Sequence, residues 1–355
     1  MSKLPIIGIT IGDINGIGPE IILKTFHDHR IANYCTPVIF ASPKVISFWK
    51  KQLNFPEFNI PYIKTIDQVH PKKTNLLVCW EEEVEIKPGE ITEKGGQYAL
   101  KSLEIATQHL KEQKIHALVT APLNKNNINI PGEKFTGHTE YLAKQDNNSD
   151  YAMLLINDDL RVGLVTGHIP LKDVASKITV EGILSKIGTI EKSLKKDFSI
   201  TKPRIALLGL NPHAGDNGLL GNEDKDIIAV ACTKAQENGT LAYGPYPADG
   251  FFGSHLYKKF DVVLAMYHDQ GLIPFKYMGF ENGVNFTAGL SFIRTSPDHG
   301  TAYDIAGKNK ADESSFRNAL YAAIDLVRTR VENIELEENF LPFSPLKKER
   351  FRIDF

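Results

Sequence analysis

The 355-residue sequence has few of the features that mark secreted, membrane or nucleic-acid-binding proteins. Its three cysteines, Cys35, Cys79 and Cys232, are odd in number and too widely spaced for a zinc or disulfide framework. No apolar run approaches the roughly 20 residues that cross a bilayer, and the first residues lack the apolar core of a signal peptide. The net charge of -2 gives no reason to expect a nucleic-acid or acidic membrane partner. These absences predict a cytoplasmic protein that binds neither nucleic acid nor membrane.

The remaining composition is that of an ordinary globular protein with a large core. Hydrophobic residues make up 42% and charged residues 24% of the chain, which is long enough for two domains or one large α/β unit. Apolar runs typical of strands alternate with segments of helical period, which favours a doubly wound, mostly parallel sheet. The predicted strands include 6–11, 37–40, 76–79 and 117–120, and the predicted helices 42–53 and 95–110. A stretch rich in Asn, Pro and Gly, 126–132, is the predicted crossing between domains.

Three apolar runs later in the chain each lead into a histidine. Residues 164–165, 205–210 and 262–266 precede His168, His213 and His268. Because ligands of α/β proteins gather beyond the carboxyl ends of strands, three histidines at three such ends predict one site. Imidazole nitrogens suit zinc, cobalt, nickel or manganese, and a catalytic metal site typically uses three protein ligands. For each histidine alone, a hydrogen-bonded structural role is the alternative.

Carboxylates and cations occur near the same strand ends. Asp249 and Asp269 are candidates for proton handling or for orienting a metal ligand. Asp249 could instead begin a turn or helix, and Asp269 could be the ion-pair partner of Lys276. Lys276 and Arg294, which flank Asn285, could bind a phosphate or carboxylate. Together these groups predict a pocket for a small phosphorylated or carboxylated metabolite.

A glycine-rich stretch near the start, Gly12–Glu20, follows the first predicted strand. Pro19 suits the first turn of a helix, and Glu20 suits its positive end. Such a strand-loop-helix opening could contact a phosphate or cofactor. The glycine spacing does not match the dinucleotide-binding fingerprint, so a simple connecting turn is the alternative.

Eight stretches together resemble the 4-hydroxythreonine-4-phosphate dehydrogenase family of the vitamin B6 pathway, in family order over about residues 5–330. They are Gly12–Glu20, Thr120–Lys125, Gly137–Glu140, Val165–Pro170, Leu210–Gly215, Ala248–Phe252, Tyr267–Lys276 and Phe292–Lys308. The stretch Gly12-Asp13-Ile14-Asn15 departs from the Pro-Ala version common in the family. The segment from about Val331 onward falls outside the resemblance and receives no assignment.

The resemblance implies a two-domain fold like that of the isocitrate and isopropylmalate dehydrogenases, with the active site between the domains. We expect one domain to comprise residues 1–128 plus 303–355 and the other residues 129–302. We also expect a homodimer in which a divalent metal (Zn, Mg, Co, Mn or Ni) is shared between subunits. By motif match, His168, His213 and His268 are the implied metal ligands. The implied substrate-binding residues are His138, Thr139, Lys276, Asn285 and Arg294.

The implied reaction is oxidation of 4-phosphooxy-L-threonine at its C3 hydroxyl by NAD, with NADP as an alternative, followed by decarboxylation to 3-amino-2-oxopropyl phosphate. A divalent metal would activate the hydroxyl, and Lys276 or a water assisted by Asp269 is the hypothesised base. Asp249 completes the candidate catalytic set. The run 297–308 resembles an adenosine-binding loop, so NAD is assigned to His299, Gly300, Thr301 and Asp304.

Three other functions stay open at this point. A member of the same family acting on 4-phospho-D-threonate or erythronate would carry similar metal and phosphate sites. A metal-dependent hydrolase is the second alternative, because three histidines can also activate water. A periplasmic type of metabolite-binding protein is the third, although no export signal supports it.

Overall fold

The structure is a computed structural model that describes residues 4–132, 135–148, 150–279 and 282–339. Within these ranges, twelve strands form one sheet. The strands are β1 (Ile6–Thr10), β2 (Thr36–Ala41), β3 (Tyr62–Ile63), β4 (Asn75–Val78), β5 (Ala117–Thr120), β6 (Ala152–Ile156), β7 (Arg161–Leu164), β8 (Arg204–Leu208), β9 (Leu241–Tyr246), β10 (Val262–Ala265), β11 (Val284–Ala288) and β12 (Ile293–Pro297).

Helices lie between most of these strands and cover the sheet. They are α1 (Gly18–His27), α2 (Pro43–Gln52), α3 (Glu93–Lys111), α4 (His138–Gln145), α5 (Val174–Lys177), α6 (Val180–Phe198), α7 (Ala229–Glu237), α8 (Ala248–Gly253), α9 (His268–Gly279) and α10 (Ser314–Glu338). Side-chain caps set several of the starts. Ser42 accepts a hydrogen bond from the Lys44 amide, and Thr92 accepts one from the Gly95 amide. The predicted helix at Gly95 therefore begins slightly earlier, at Glu93.

The sheet order is β3-β4-β2-β1-β5-β12-β11-β6-β7-β10-β8-β9. Neighbouring strands are parallel except around β11, which is antiparallel to β12 and β6, and between β6 and β7. Strands β7, β10 and β8 are parallel neighbours, so their carboxyl ends meet at one edge. The predicted α/β class with a mostly parallel sheet is confirmed. Because both faces are covered, the central strands are fully buried apolar runs, as in β10.

The glycine-rich stretch after β1 is a buried junction between parts of the chain. Asp13 and Asn15 are fully buried. The Asp13 carboxylate accepts hydrogen bonds from the Asn15 amide at 2.9 Å, the Asn127 side chain at 2.8 Å and the Tyr303 hydroxyl at 2.8 Å. The polar groups of this loop are thus used within the chain, which favours the connecting-turn interpretation over the phosphate-binding one.

The last helix extends further than the sequence pattern indicated. Helix α10 continues past Arg330 to Glu338, and Val331, Ile334 and Leu336 on its last turns are exposed. Their exposure explains why this segment shows no clear amphipathic period. The remainder of the unassigned segment, residues 340–355, lies outside the described residues.

None of the helices in the described ranges is both long and apolar enough to cross a bilayer. The three cysteines are free thiols. Burial raises the pKa of Cys35 and of Cys79 to about 12, so both thiols are held in the unreactive protonated form. They pack as small apolar side chains.

The junction at Asp13 generates a stability prediction. Asp13→Ala removes a buried carboxylate that accepts three hydrogen bonds, so the free energy of unfolding should fall by about 2–4 kcal/mol. Urea unfolding measures this change. The matched control is Glu83→Ala, which removes an exposed partner of Lys44 and should leave the free energy of unfolding nearly unchanged. Equal changes in the free energy of unfolding for the two substitutions would contradict the stabilising role of the Asp13 hydrogen bonds.

Candidate active site

A cavity of about 1060 Å³ lies where β5, β7, β11 and β12 approach the start of α4. Among the residues that the structure describes, four cationic side chains line it but only two carboxylates, Glu140 and Asp298. The cations are Lys125, Lys186, Lys276 and Arg294. A concave, partly apolar surface with an excess of positive charge is suited to a small anionic ligand.

Arg294 is the most deeply buried of these cations. It lies on β12 and is 2% exposed. Its guanidinium donates to the hydroxyl of Thr120 at 2.7 and 3.1 Å, to Thr287 at 3.3 Å and to Thr139 at 3.4 Å. Within the described part of the chain it forms no ion pair, and burial lowers its pKa to about 10. A buried arginine with only hydroxyl partners is prepared to bind an anion, because a charge is costly to bury without an opposite one.

Two further polar groups at the cavity have unsatisfied hydrogen-bonding atoms in the described part of the chain. Nε2 of His138 and Oδ1 of Asn285 are buried and have no hydrogen-bond partner within the described residues. Burial, aided by the charges of Arg294 and Lys125, holds the pKa of His138 well below its usual value, so this imidazole is neutral. Unsatisfied buried polar atoms at a cavity wall are the groups that a ligand would complete. The predicted substrate-binding residues His138, Thr139, Lys276, Asn285 and Arg294 all line this one cavity.

Lys276 projects into the cavity from α9, and its carboxylate partner differs from the one considered from the sequence. Its Nζ lies 3.2 Å from Oδ2 of Asp298. The alternative that Asp269 is the ion-pair partner of Lys276 is wrong. The stretch from His268 is a helix rather than a turn, which places Asp269 and Lys276 almost two turns apart.

Asp269 instead orients a histidine. Its Oδ1 lies 2.7 Å from Nδ1 of His268, which leaves Nε2 of that ring available. The His268 and His168 rings lie 5.4 Å apart between centroids. Burial is the largest influence that lowers the pKa of His168, and the neutral imidazole so favoured is the form that binds metals.

His213 follows β8 but does not reach the other two histidines within one chain. It begins a run of five residues with left-handed backbone torsions, from His213 to Asn217. Such torsions are unfavourable for non-glycine residues and persist only where the surroundings impose them. Here the buried Asp224 accepts hydrogen bonds from the backbone amides of Leu210 at 2.7 Å and Asn211 at 3.1 Å. The segment is therefore held in a defined, exposed position.

Asp249, like His213, lies away from the cavity. It is exposed on α8, which contacts the left-handed segment, and it does not line the cavity. Within the described ranges, no three His, Cys, Asp or Glu side chains of one chain lie close enough to hold a metal together. The single chain therefore brings together His168 and His268 but leaves His213 and Asp249 apart from them.

The two adjacent histidines nevertheless suit a divalent metal. Both donors are imidazoles, and a carboxylate on the distal nitrogen of His268 is the usual second partner of a metal-binding histidine. The set would accept zinc or a similar ion more readily than calcium. A third ligand has to come from outside this pair.

Two of the four residues assigned to NAD line the cavity. His299 and Gly300 line it, and Nε2 of His299 is buried without a hydrogen-bond partner in the described chain. Thr301 packs on the loop before α1, where its carbonyl accepts from the Ile17 amide at 3.0 Å. Asp304 is exposed beyond it.

Several cavity residues carry no assignment from the sequence. Lys125 and Glu140 belong to the matched stretches, and Asp298 lies in the run given to NAD. Lys186 comes from the middle of α6, donates to the Tyr151 carbonyl and gives no signal in sequence. A lysine in an amphipathic helix is normally a solvated surface charge, so only the fold reveals its position.

The chain matches a family model described as "Pyridoxal phosphate biosynthetic protein PdxA" over residues 33–323. It is 46% identical over 346 residues to 4-hydroxythreonine-4-phosphate dehydrogenase of Bacteroides thetaiotaomicron, covering 97% of this chain and 93% of that protein. Another relative, from Oceanobacillus iheyensis, is provisionally named a D-threonate 4-phosphate dehydrogenase. It is 38% identical over 336 residues, covering 93% of this chain and all (100%) of the relative.

Solved structures agree with these relatives. The crystal structure of 4-hydroxythreonine-4-phosphate dehydrogenase from Klebsiella pneumoniae superposes with a TM-score of 0.80 at 35% identity. It covers 92% of this chain and 100% of that one. The enzyme of the same name from Burkholderia phymatum gives a TM-score of 0.76 at 37% identity, covering 92% of this chain and 99% of that one.

Proposed function

The chain belongs to the family of pyridoxal phosphate biosynthetic protein PdxA, and on this premise we propose that it is a 4-hydroxythreonine-4-phosphate dehydrogenase. It oxidises 4-phosphooxy-L-threonine with NAD, with NADP as the alternative, and the product loses carbon dioxide to give 3-amino-2-oxopropyl phosphate. The observation that carries this proposal is the cavity built around Arg294, in which a buried guanidinium without an ion pair in the described chain faces unsatisfied polar atoms.

Binding of the substrate follows from these groups. Arg294 donates to one anionic end, and its five donors exceed the four hydrogen bonds that it already makes. Neutral His138 and Asn285 complete their hydrogen bonds on the same ligand. A substrate held at several points is fixed in position, which hydride transfer to the cofactor requires.

In the reaction, the C3 carbon gives up a hydride to NAD and the C3 hydroxyl gives up a proton to a base. Lys276 is the base in this proposal, because its Nζ lines the cavity whereas Asp269 faces His268. The resulting β-keto acid then loses its carboxylate as carbon dioxide, and the carbanion that remains is protonated. Arg294 and Lys276 supply positive charge beside the anion that develops.

In this proposal His168 and His268, with His213 of the second subunit as the third ligand, would hold a divalent metal. When bound, such an ion would supply Lewis-acid chemistry that favours ionisation of the hydroxyl and offsets the negative charge that develops on decarboxylation. Asp269 orients the His268 ring for this role through the 2.7 Å contact at Nδ1. Asp249 of the second subunit would lie near the same site, because its helix contacts the segment that carries His213.

A homodimer would bring these groups together. Large apolar side chains are exposed on the segments that follow the three histidines, which we call the apolar rim. It comprises Leu171 (72% exposed), Leu219 (78%), Ile273 (67%) and Tyr277 (92%). Large exposed apolar side chains on segments of this kind are typical of an interface between subunits. Their location around the histidines supports a metal site shared by two chains.

NAD is assigned to His299 and Gly300 on the cavity wall and to Thr301 and Asp304 beyond it. Two domains, 1–128 plus 303–355 and 129–302, would then meet at the substrate. The sheet order supports this division, because β1–β5 occupy one contiguous half of the sheet and β6–β12 the other. A cytoplasmic location suits the three free thiols.

A second candidate substrate is 4-phospho-D-threonate or its erythronate analogue. The observation in its favour is the name of the Oceanobacillus iheyensis relative. Both substrates carry a phosphate and a carboxylate, so the cations of the cavity serve either one. They differ at C2, where the threonine derivative carries an ammonium.

The direct test is formation of NADH by the purified protein with 4-phosphooxy-L-threonine and a divalent cation. We expect turnover that a chelator abolishes and excess cation restores. Parallel assays with the phosphorylated threonate and erythronate should give a kcat/KM at least about tenfold lower. The reverse preference would establish the second candidate, and the absence of turnover with all three substrates would overturn the proposed reaction.

Sharing of the metal site predicts which inactive variants restore each other. In a heterodimer of His168→Ala and His213→Ala chains, one site receives His168 and His268 from one chain and His213 from the other. Random exchange should restore about a quarter of wild-type activity, because half of the dimers then carry one intact site out of two. Activity is measured after mass spectrometry has verified subunit exchange.

The matched control mixes His168→Ala with His268→Ala. These two histidines lie together in one chain, so every heterodimer site lacks one of them and activity should stay at the level of the separate variants. Recovery in this control, or none in the first mixture, would contradict the proposed division of ligands between subunits.

A further inference from the structure

We propose that Asp298 positions Lys276 for proton transfer, holding Nζ at a fixed point of the cavity wall where the neutral amine accepts the substrate proton and the resulting ammonium pairs with the Asp298 carboxylate. The inference rests on the proposed function, in which Lys276 receives the substrate proton, and it names a residue that the ligand and cofactor assignments leave without a role. It also replaces Asp269, which the sequence offered as the carboxylate partner of Lys276.

The contact involves both the side chain and the backbone of Asp298. Oδ2 of Asp298 lies 3.2 Å from Nζ of Lys276. The same Nζ donates a hydrogen bond to the Asp298 carbonyl oxygen at 3.3 Å. The ion pair with the carboxylate and the hydrogen bond to the backbone carbonyl of the same residue together restrict the position of Nζ, and Oδ2 makes no hydrogen bond of its own within the described chain.

Asp298 is itself held firmly. It directly follows β12, and its backbone amide donates to the hydroxyl of Ser315 at 3.2 Å. That hydroxyl in turn donates to the carbonyl of Gly283 at 2.9 Å. The Asp298 side chain is 13% exposed and that of Lys276 35%. The carboxylate is therefore the fixed partner, and the flexible lysine loses its rotamer freedom against it before substrate arrives.

Partial burial also strengthens the charge interaction between Asp298 and Lys276. Burial raises the pKa of Asp298, and the positive charge of Lys276 opposes that rise. Both side chains line the cavity. In such a partly desolvated position, charges interact more strongly than they would on the surface. A change at Asp298 should therefore alter the proton affinity and the position of Nζ together.

A purely structural role is the competing explanation, because the pair also joins α9 to the end of β12. The two roles differ in what they affect. A structural pair supports the stability of the fold, whereas a positioning residue supports kcat and its pH dependence. A matched structural pair exists elsewhere in the chain, where buried Asp197 contacts Arg330 away from the cavity.

The experiment compares Asp298→Asn, Asp298→Glu and Asp197→Asn in the full-length metal-loaded protein. Asp298→Asn should lower kcat roughly 100-fold with less than about a threefold change in KM, because proton transfer and not binding is impaired. Its pH-rate profile should shift relative to that of the wild type. Asp298→Glu, which keeps the charge but moves it by one methylene, should recover about tenfold in kcat. Asp197→Asn should lower Tm without changing kcat.

Two outcomes would overturn the inference. One is an Asp298→Asn variant whose kcat stays within about twofold of the wild type. The other is an equal loss of kcat and Tm in Asp298→Asn and Asp197→Asn. If Asp298→Asn does not fold, Asp298→Glu carries the same comparison, with an unchanged kcat and pH profile as the contradicting result. If Asp197→Asn does not fold, Asp261→Asn, which removes the partner of Arg204, replaces it.

A measurement without turnover separates this inference from the proposed reaction. Lysines carrying carbon-13 methyl groups after reductive methylation give separate NMR signals, and Lys276→Arg identifies that of Lys276. The signal should move in Asp298→Asn and stay in Asp197→Asn. A wild type without NADH formation but with this shift would refute the reaction and leave the positioning contact standing. An active wild type whose Lys276 signal does not move would refute the positioning contact alone.

Discussion

The cavity depends on a charge that the fold buries without neutralising it. Arg294 lies on a central strand, surrounded by the hydroxyls of Thr120, Thr139 and Thr287. Hydroxyls orient a guanidinium but do not cancel its charge, so its burial costs free energy in the absence of ligand. Groups around it are likewise incomplete, since His138 and Asn285 retain buried atoms that are unpaired within the part of the chain that the structure describes. A ligand that carries an anionic group for Arg294 and a hydroxyl or ammonium donor for Oδ1 of Asn285 completes these groups together, which accounts for the proposed preference for a phosphorylated substrate.

The second constraint is the position of the histidine segments at one edge of the sheet. Parallel pairing of β7, β10 and β8 places the segments after them side by side. His168 and His268 meet there, while the left-handed run keeps His213 on an exposed position. The apolar rim around these segments is suited to a second copy of the chain. The proposed metal site, substrate site and dimer interface thus all lie at one edge of the sheet.

Much of this arrangement is predictable from sequence because it depends on local pattern. Apolar runs that end in polar residues identify β10 and β8 and the histidines beyond them, and alternating periods give the α/β class. Pairings between distant segments leave no such pattern. The sequence therefore gives no sign of the contact of Lys276 with Asp298, 22 residues later, and proximity in sequence indicates Asp269 instead. The cavity position of Lys186 is likewise visible only in the fold.

The most direct test of the account is calorimetric titration of 4-phosphooxy-L-threonine, without NAD, into the wild type and Arg294→Met. Methionine keeps apolar volume but removes the buried charge, so the account predicts a Kd roughly 100-fold higher or more. The ligand-free variant should have a Tm equal to or above that of the wild type, because an unneutralised buried charge has been removed. A Kd within about threefold of the wild-type value would contradict the central role of Arg294.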